Sequence, residues 1–183
     1  MAGGRAGALG KPDPRSLLAT HPIVSVVGRH NVGKTTFLTR LLAVLRARDL
    51  RIAVINHAAQ GFAIDRPGTD SFLLQRTGIE QTVLVGGQQV AVLENAVREP
   101  PLRDVLDRYL RDDLDLVITE GYKREPHPKI EVARAAIATT LVSPEEELLA
   151  VVCDFAPTTR APVFTPDRVE EVAELLVTRL VRR

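Results

Sequence analysis

The stretch VVGRHNVGKTT, residues 26–36, sets Gly28, Gly33, Lys34 and Thr35 at the spacing G-x-x-x-x-G-K-[ST]. Those residue types at those intervals suit one task, gripping a chain of phosphates. The glycines let backbone approach phosphate oxygens with no Cβ in the way. Successive N–H groups of the loop, Asn31 and Val32 included, then curl around the oxygens while a following helix points its positive end at them. Lys34 reaches the outer phosphates, the Thr35 hydroxyl takes a place on Mg²⁺, and Thr36 adds a donor at the helix start.

Such a site also needs an acid at the end of a neighbouring buried strand, to hold the metal directly or through water. Glu120 closes the run LDLVITE, and Gly121 gives the chain room to turn over the phosphates. Asp65, ahead of Arg66-Pro67-Gly68, is the second candidate for a catalytic or metal-binding acid.

The elements that must position these residues are legible from periodicity. Ile23–Val27 is a short apolar run rich in β-branched residues, followed by the glycine loop and by Leu38, Leu41, Leu42 and Leu45 at helical spacing. Arg51–Asn56 supplies a second strand, so the opening unit is βαβ with parallel strands. Residues 58–68 read as a functional loop, and 71–77 as a short helix. Thr82–Val85 and Val90–Leu93 flank Gly86-Gly87-Gln88-Gln89 and predict a hairpin. Leu102, Val105, Leu106, Tyr109 and Leu110 share a helical face, and strands follow at 114–119, 129–132 and 148–152. A closing helix is expected over 166–182, with Thr165 as N-cap and Pro166 at its first position. The alternation predicts a three-layer α/β fold of the P-loop NTPase kind, a mostly parallel sheet flanked by helices, with a small β-hairpin insertion.

Composition bounds the rest. With 183 residues and 45% apolar content, one domain over residues 21–183 is expected, behind a Gly-, Ala- and Pro-rich tail (1–20) expected to be disordered. A net charge of +1 gives no whole-protein case for nucleic acid or an anionic membrane as partner. Cys153 is the single cysteine, which excludes an intramolecular disulfide and a cysteine-cluster zinc site and suits a reducing, cytoplasmic setting. No apolar run reaches signal-peptide or membrane-spanning length. Of 24 basic residues only four are lysine: Lys11, Lys34, Lys123 and Lys129. A lysine kept against that bias marks a place where a compact charge serves better than a guanidinium.

Taken together, these residues resemble the molybdopterin-guanine dinucleotide biosynthesis adaptor family, MobB. The likeness runs from Ile23 to the C-terminal helix. Beyond the P-loop it rests on three boxes. Asp65-Arg66-Pro67-Gly68-Thr69-Asp70-Ser71 is similar to D-x-P-G-K-D-S, Glu120-Gly121-Tyr122-Lys123 to E-G-F-K, and Pro128-Lys129-Ile130-Glu131-Val132 with Arg134 to P-K-I-E-V-x-R. The resemblance implies a homodimer that binds GTP with Mg²⁺, hydrolyses it weakly at most, and acts beside a guanylyltransferase that joins GMP to molybdopterin. It also implies a surface for that partner or for the acceptor, built from Asp70, Lys123, Lys129, Glu131 and Arg134. Two departures stand out. Asn56-His57-Ala58-Ala59-Gln60 replaces a family segment that begins K-H and carries further histidines, and Thr69 stands where the P-G-K-D-S box has lysine.

A regulatory GTPase would carry N-K-x-D to read guanine, and none occurs here. A carboxylate can take guanine's N–H and exocyclic amino group in two parallel hydrogen bonds. Asp154, just past the 148–152 strand, is the candidate base reader. The competing class on the same scaffold is a small-molecule kinase or ATP-dependent ligase, which would need a second-substrate pocket and a base that the sequence does not display.

Overall fold

The computed structural model describes residues 21–58, 61, 62, 64 and 66–181. The expected N-terminal tail and Asp65 lie outside the described residues. In chain order the elements are β1 (Ile23–Val27), α1 (Lys34–Arg46), β2 (Ile52–Asn56), α2 (Asp70–Gln75), β3 (Gln81–Gly86), β4 (Gln89–Glu94), α3 (Leu102–Tyr109), β5 (Leu116–Glu120), β6 (Lys129–Val132), β7 (Leu148–Val152), β8 (Val163–Phe164) and α4 (Val169–Leu180). They fall into two compact units, one formed by the chain up to His57 with Tyr109 onward, the other by Ala58–Arg108.

The first unit is built on a six-stranded sheet in the order β2-β5-β1-β6-β7-β8, parallel throughout. Every residue of β1 and β6, and all of β5 but Glu120, is buried, as expected of strands in a parallel sheet covered on both faces. Val24, Val26, Leu116, Ile118, Ile130, Val132, Ala150 and Val152 point to one face, where Phe37, Leu38, Leu41 and Leu45 of α1 meet Val169, Val172, Ala173 and Leu176 of α4. The α/β fold read from the sequence is therefore the fold observed. β1 and β2 are parallel, but β5 inserts between them, and this places Glu120 opposite Val26 at the mouth of the glycine loop.

The second unit contains α2 and the β3–β4 hairpin, registered Val83↔Val92 and Val85↔Val90. Successive side chains on a strand alternate faces. These four valines therefore share one face, and all four are exposed.

The start of the closing helix differs most from expectation. The closing helix starts at Val169, not Pro166, and Thr165 is not its N-cap. Residues 165–168 form a turn instead, closed by Arg168 N–H donating to the Thr165 carbonyl at 3.0 Å, and the Thr165 side chain hydrogen-bonds Asp167. The two-residue β8 and the 3₁₀ turn at Glu145–Glu147 are too short to leave a periodic signal.

Candidate phosphate and metal site

The glycine loop between β1 and α1 is shaped by three residues of positive φ: Gly28 (φ 144°), Asn31 (φ 61°) and Gly33 (φ 92°). Asn is among the few side chains that tolerate this conformation, so Asn31 suits the turn as well as supplying an N–H to it. Gly28 is also sterically obligatory, because a Cβ there would lie 2.1 Å from the Val132 carbonyl oxygen. Val32 is buried beneath the loop, while Thr35 and Thr36 are exposed at the start of α1. Lys34 Nζ donates to the Arg29 carbonyl at 2.9 Å, spanning the loop. Its pKa is lowered, chiefly by burial; the Glu120 charge opposes the shift and the Lys123 charge adds to it. Lys34, Glu120 and Lys123 thus act within one electrostatic neighbourhood.

On the β5 flank, Thr35 Oγ1 donates to Glu120 Oε1 at 3.0 Å. A hydroxyl and a carboxylate so placed are the hard oxygen donors that suit Mg²⁺. Among the described residues no group of three or more His, Cys, Asp or Glu could hold a metal. His57 completes this flank. Its N–H donates to the Glu120 carbonyl at 3.0 Å, its Cβ would meet a Gly121 Cβ at 2.9 Å, and its ring lies 4.8 Å from that of Tyr122.

On the β6 flank the sequence reading needs correction. Lys129 and Glu131 were expected on a partner or acceptor surface, but both are buried. Lys129 Nζ donates to the Glu125 carbonyl (2.6 Å) and the His127 carbonyl (3.3 Å) and pairs with Glu147. Glu131 accepts the N–H groups of Val142 (2.7 Å) and Ser143 (2.9 Å). The alternation in PKIEV does turn Lys129 and Glu131 away from Ile130 and Val132. The opposite face of this strand is covered too, and buried charges need such partners. Arg134 is exposed and lies close to the loop, with Nη2 3.5 Å from where a Gly33 Cβ would stand. Asp154 is exposed, and its Oδ1 accepts the Ala135 N–H at 2.7 Å. It borders a hollow of about 590 Å³ at the ends of β7 and β8, with Phe155, Phe164 and Arg168.

Beneath the loop lies a polar link that the sequence reading missed. Ser25 Oγ lies 2.5 Å from Thr119 Oγ1 and 2.6 Å from His127 Nε2, tying β1, β5 and the lead into β6. Burial, reinforced by the nearby Lys129 charge, lowers the His127 pKa from 6.5 to about 4. The imidazole is therefore neutral at pH 7.

In the second unit Asp70 is the exposed first residue of α2. Thr69 caps that helix, accepting the Phe72 N–H at 3.3 Å. The residue standing in place of the family's lysine thus has a local structural role. Lys123 is exposed, in the turn after Glu120.

A parallel sheet whose central strand enters a glycine loop and a long helix, with a strand-end carboxylate beside the loop's threonine, defines the P-loop NTPase class. The chain belongs within it to the MobB family: the family profile described as Molybdopterin guanine dinucleotide synthesis protein B matches residues 23–154. The chain is 28% identical over 155 residues to the molybdopterin-guanine dinucleotide biosynthesis adapter protein of Haemophilus influenzae, covering 85% of this chain and 87% of that protein. A crystal structure of molybdopterin-guanine biosynthesis protein B superposes with a TM-score of 0.66 at 32% identity, over 86% of this chain and 99% of the other. Bacillus subtilis MobB, at 22% identity and a TM-score of 0.67 over 88% and 99%, shares the fold. Among the described residues no helix is long and apolar enough to cross a membrane.

Proposed function

We propose that this protein is a cytoplasmic GTP-binding adaptor in the formation of molybdopterin guanine dinucleotide, working beside a guanylyltransferase-type partner. The observation that carries the reading is the contact of Thr35 with Glu120 at the mouth of a loop only glycine can form. Gly28, Asn31, Val32, Gly33, Lys34, Thr35 and Thr36 would hold the phosphates, and Thr35 with Glu120 would hold Mg²⁺, which neutralises phosphate charge when bound. Asp65 remains a second candidate acid in this reading, and Asp70 and Lys123 candidates for the partner surface. Asp154 is the candidate guanine reader, supported by its place beside the hollow at the strand ends. Asp154→Asn, which keeps an oxygen for Ala135 but loses the second acceptor, should then lower the preference for GTP over ATP.

A homodimer belongs to the same reading, because the exposed valine face of the hairpin is the kind of apolar surface a partner covers. A monomer in sedimentation equilibrium would remove the dimer from it. Hydrolysis by the protein alone is expected at or below about 10⁻⁴ to 10⁻² per second, so turnover of several per second would contradict an adaptor role.

The direct test is a magnesium-dependent binding titration of GTP, ATP and CTP, with Lys34→Ala as control. A GTP preference that Lys34→Ala abolishes is expected. Equal or better ATP binding would move the protein to the kinase or ligase class, and binding indifferent to Lys34 would overturn the site itself.

A further inference from the structure

The guanidinium of Arg134 is an exposed cation brought to the glycine loop by backbone construction. Glu131 is registered to Val27 across the β1–β6 pair, so the chain leaving β6 continues alongside the loop that leaves β1. The Val132 carbonyl packs on Gly28, and Arg134 Nη2 comes to rest beside Gly33. The backbone there is fixed on several sides. Ala133 N–H donates to the Val152 carbonyl at 2.9 Å, Ala135 N–H to Asp154 Oδ1 at 2.7 Å, and Ile137 and Ala138 N–H to the Arg134 carbonyl at 2.9 and 3.0 Å.

No ion pair involves Arg134 among the described residues; it shares this with Arg29 and Arg46, which donate to the Thr140 hydroxyl and the Leu50 carbonyl, and differs from Arg48, Arg51, Arg103, Arg108, Arg111 and Arg168, which have acidic partners. An exposed arginine with a nearby carboxylate normally pairs with it. One held by its backbone at an anion-binding loop without such a partner has its fork free for phosphate. Thr35 and Glu120 meet on the β5 side of the loop, and Arg134 follows β6 on the other side of β1.

We infer that Arg134 is a built-in phosphate-binding arginine, which contacts the terminal phosphate of a nucleoside triphosphate seated in the loop, and that Asp154 positions it by clamping the Ala135 N–H. This rests on the nucleotide reading of the site. It assigns Arg134 to the nucleotide, where the motif alone had assigned it to the partner or acceptor surface. Its effect on Arg134 runs through the turn, whereas reading guanine would affect GTP and GDP alike, so the two roles are separable by substitution.

The test is the ratio of GTP to GDP affinity, by calorimetry in Mg²⁺, for wild type, Arg134→Ala, Arg134→Lys, Asp154→Asn and Asp154→Ala. Arg134→Ala is expected to weaken GTP about tenfold or more, the worth of a charge-assisted hydrogen bond, and GDP less than about threefold. Arg134→Lys should restore only part of the ratio, since an ammonium lacks the planar fork. Asp154→Ala should lower the ratio in the same direction, and more than Asp154→Asn, which keeps an acceptor oxygen for the Ala135 N–H. Circular dichroism melts establish that each variant is folded. An unchanged ratio in folded Arg134→Ala, or equal losses for GTP and GDP, would overturn the assignment. Failure of the wild type to bind either nucleotide, or binding insensitive to Lys34→Ala, would instead defeat the underlying reading, so the two failures are distinguishable.

Discussion

The two flanks of the glycine loop are built from the same material, a parallel strand running out beside β1, yet they present opposite chemistry. The β5 flank ends in Glu120, touching Thr35 and backed by His57 and Tyr122. The β6 flank buries its own charges, Lys129 and Glu131, on internal partners, and beyond its end offers the guanidinium of Arg134. An acid on one side and a base on the other is what a magnesium-bound polyphosphate requires: a place for the metal and a counter-charge for the oxygens the metal does not cover. The lesson lies in the strand ends. Lys129 and Glu131, covered within β6, serve the fold, while the last residue of β5 and the second residue beyond β6 are available for chemistry.

The comparison can be broken most sharply at the two glycines that set the flanks. Gly28→Ala drives a methyl group into the Val132 carbonyl at 2.1 Å, backbone against backbone, at a φ of 144°. It is expected to cost about 3 kcal/mol or more and to abolish nucleotide binding. Gly121→Ala, at φ 103°, meets the Cβ of His57 at 2.9 Å, a much shallower overlap that a small backbone shift relieves. Its expected cost is smaller, about 1 to 2 kcal/mol. Chemical denaturation of the two variants checks the order. Equal costs would show that the β6 flank is no more tightly fitted than the β5 flank.

The link beneath the loop gives a pH signature that sharpens the same picture, since His127 joins β1 and β5 to the lead into β6. The unfolded chain takes up this proton near pH 6.5, while the folded protein resists it until about pH 4. Stability therefore falls as pH drops through that window and levels off below it, by up to about 3 kcal/mol from this group. Thermal melts from pH 7 to 4 should show the loss in wild type and a flatter profile in His127→Gln. Parallel profiles would mean that His127 is not the group titrating.

Much of this was legible in the sequence because the signals were local. The glycine spacing, the apolar runs of β1 and β5, the strands at 129–132 and 148–152 and the two halves of the hairpin all emerge where their residues place them. What could not be read depends on neighbours distant in the chain. Lys129 and Glu131 look outward by alternation, and only the cover supplied by residues 142–147 makes them internal. Arg134 looks like part of a surface motif until the β1–β6 register carries it to Gly33. Asn31 has no special composition; its left-handed conformation is imposed by the loop as a whole.

On the proposed reading the β5 flank would hold the metal that strengthens phosphate binding. The most direct measurement is GTP affinity with and without Mg²⁺ in wild type and in Glu120→Gln, which keeps the side chain's size and removes its charge. The account predicts that Mg²⁺ strengthens binding in wild type and that Glu120→Gln removes most of that gain while metal-free binding holds. A full magnesium gain retained in Glu120→Gln, or no gain in wild type, would contradict it.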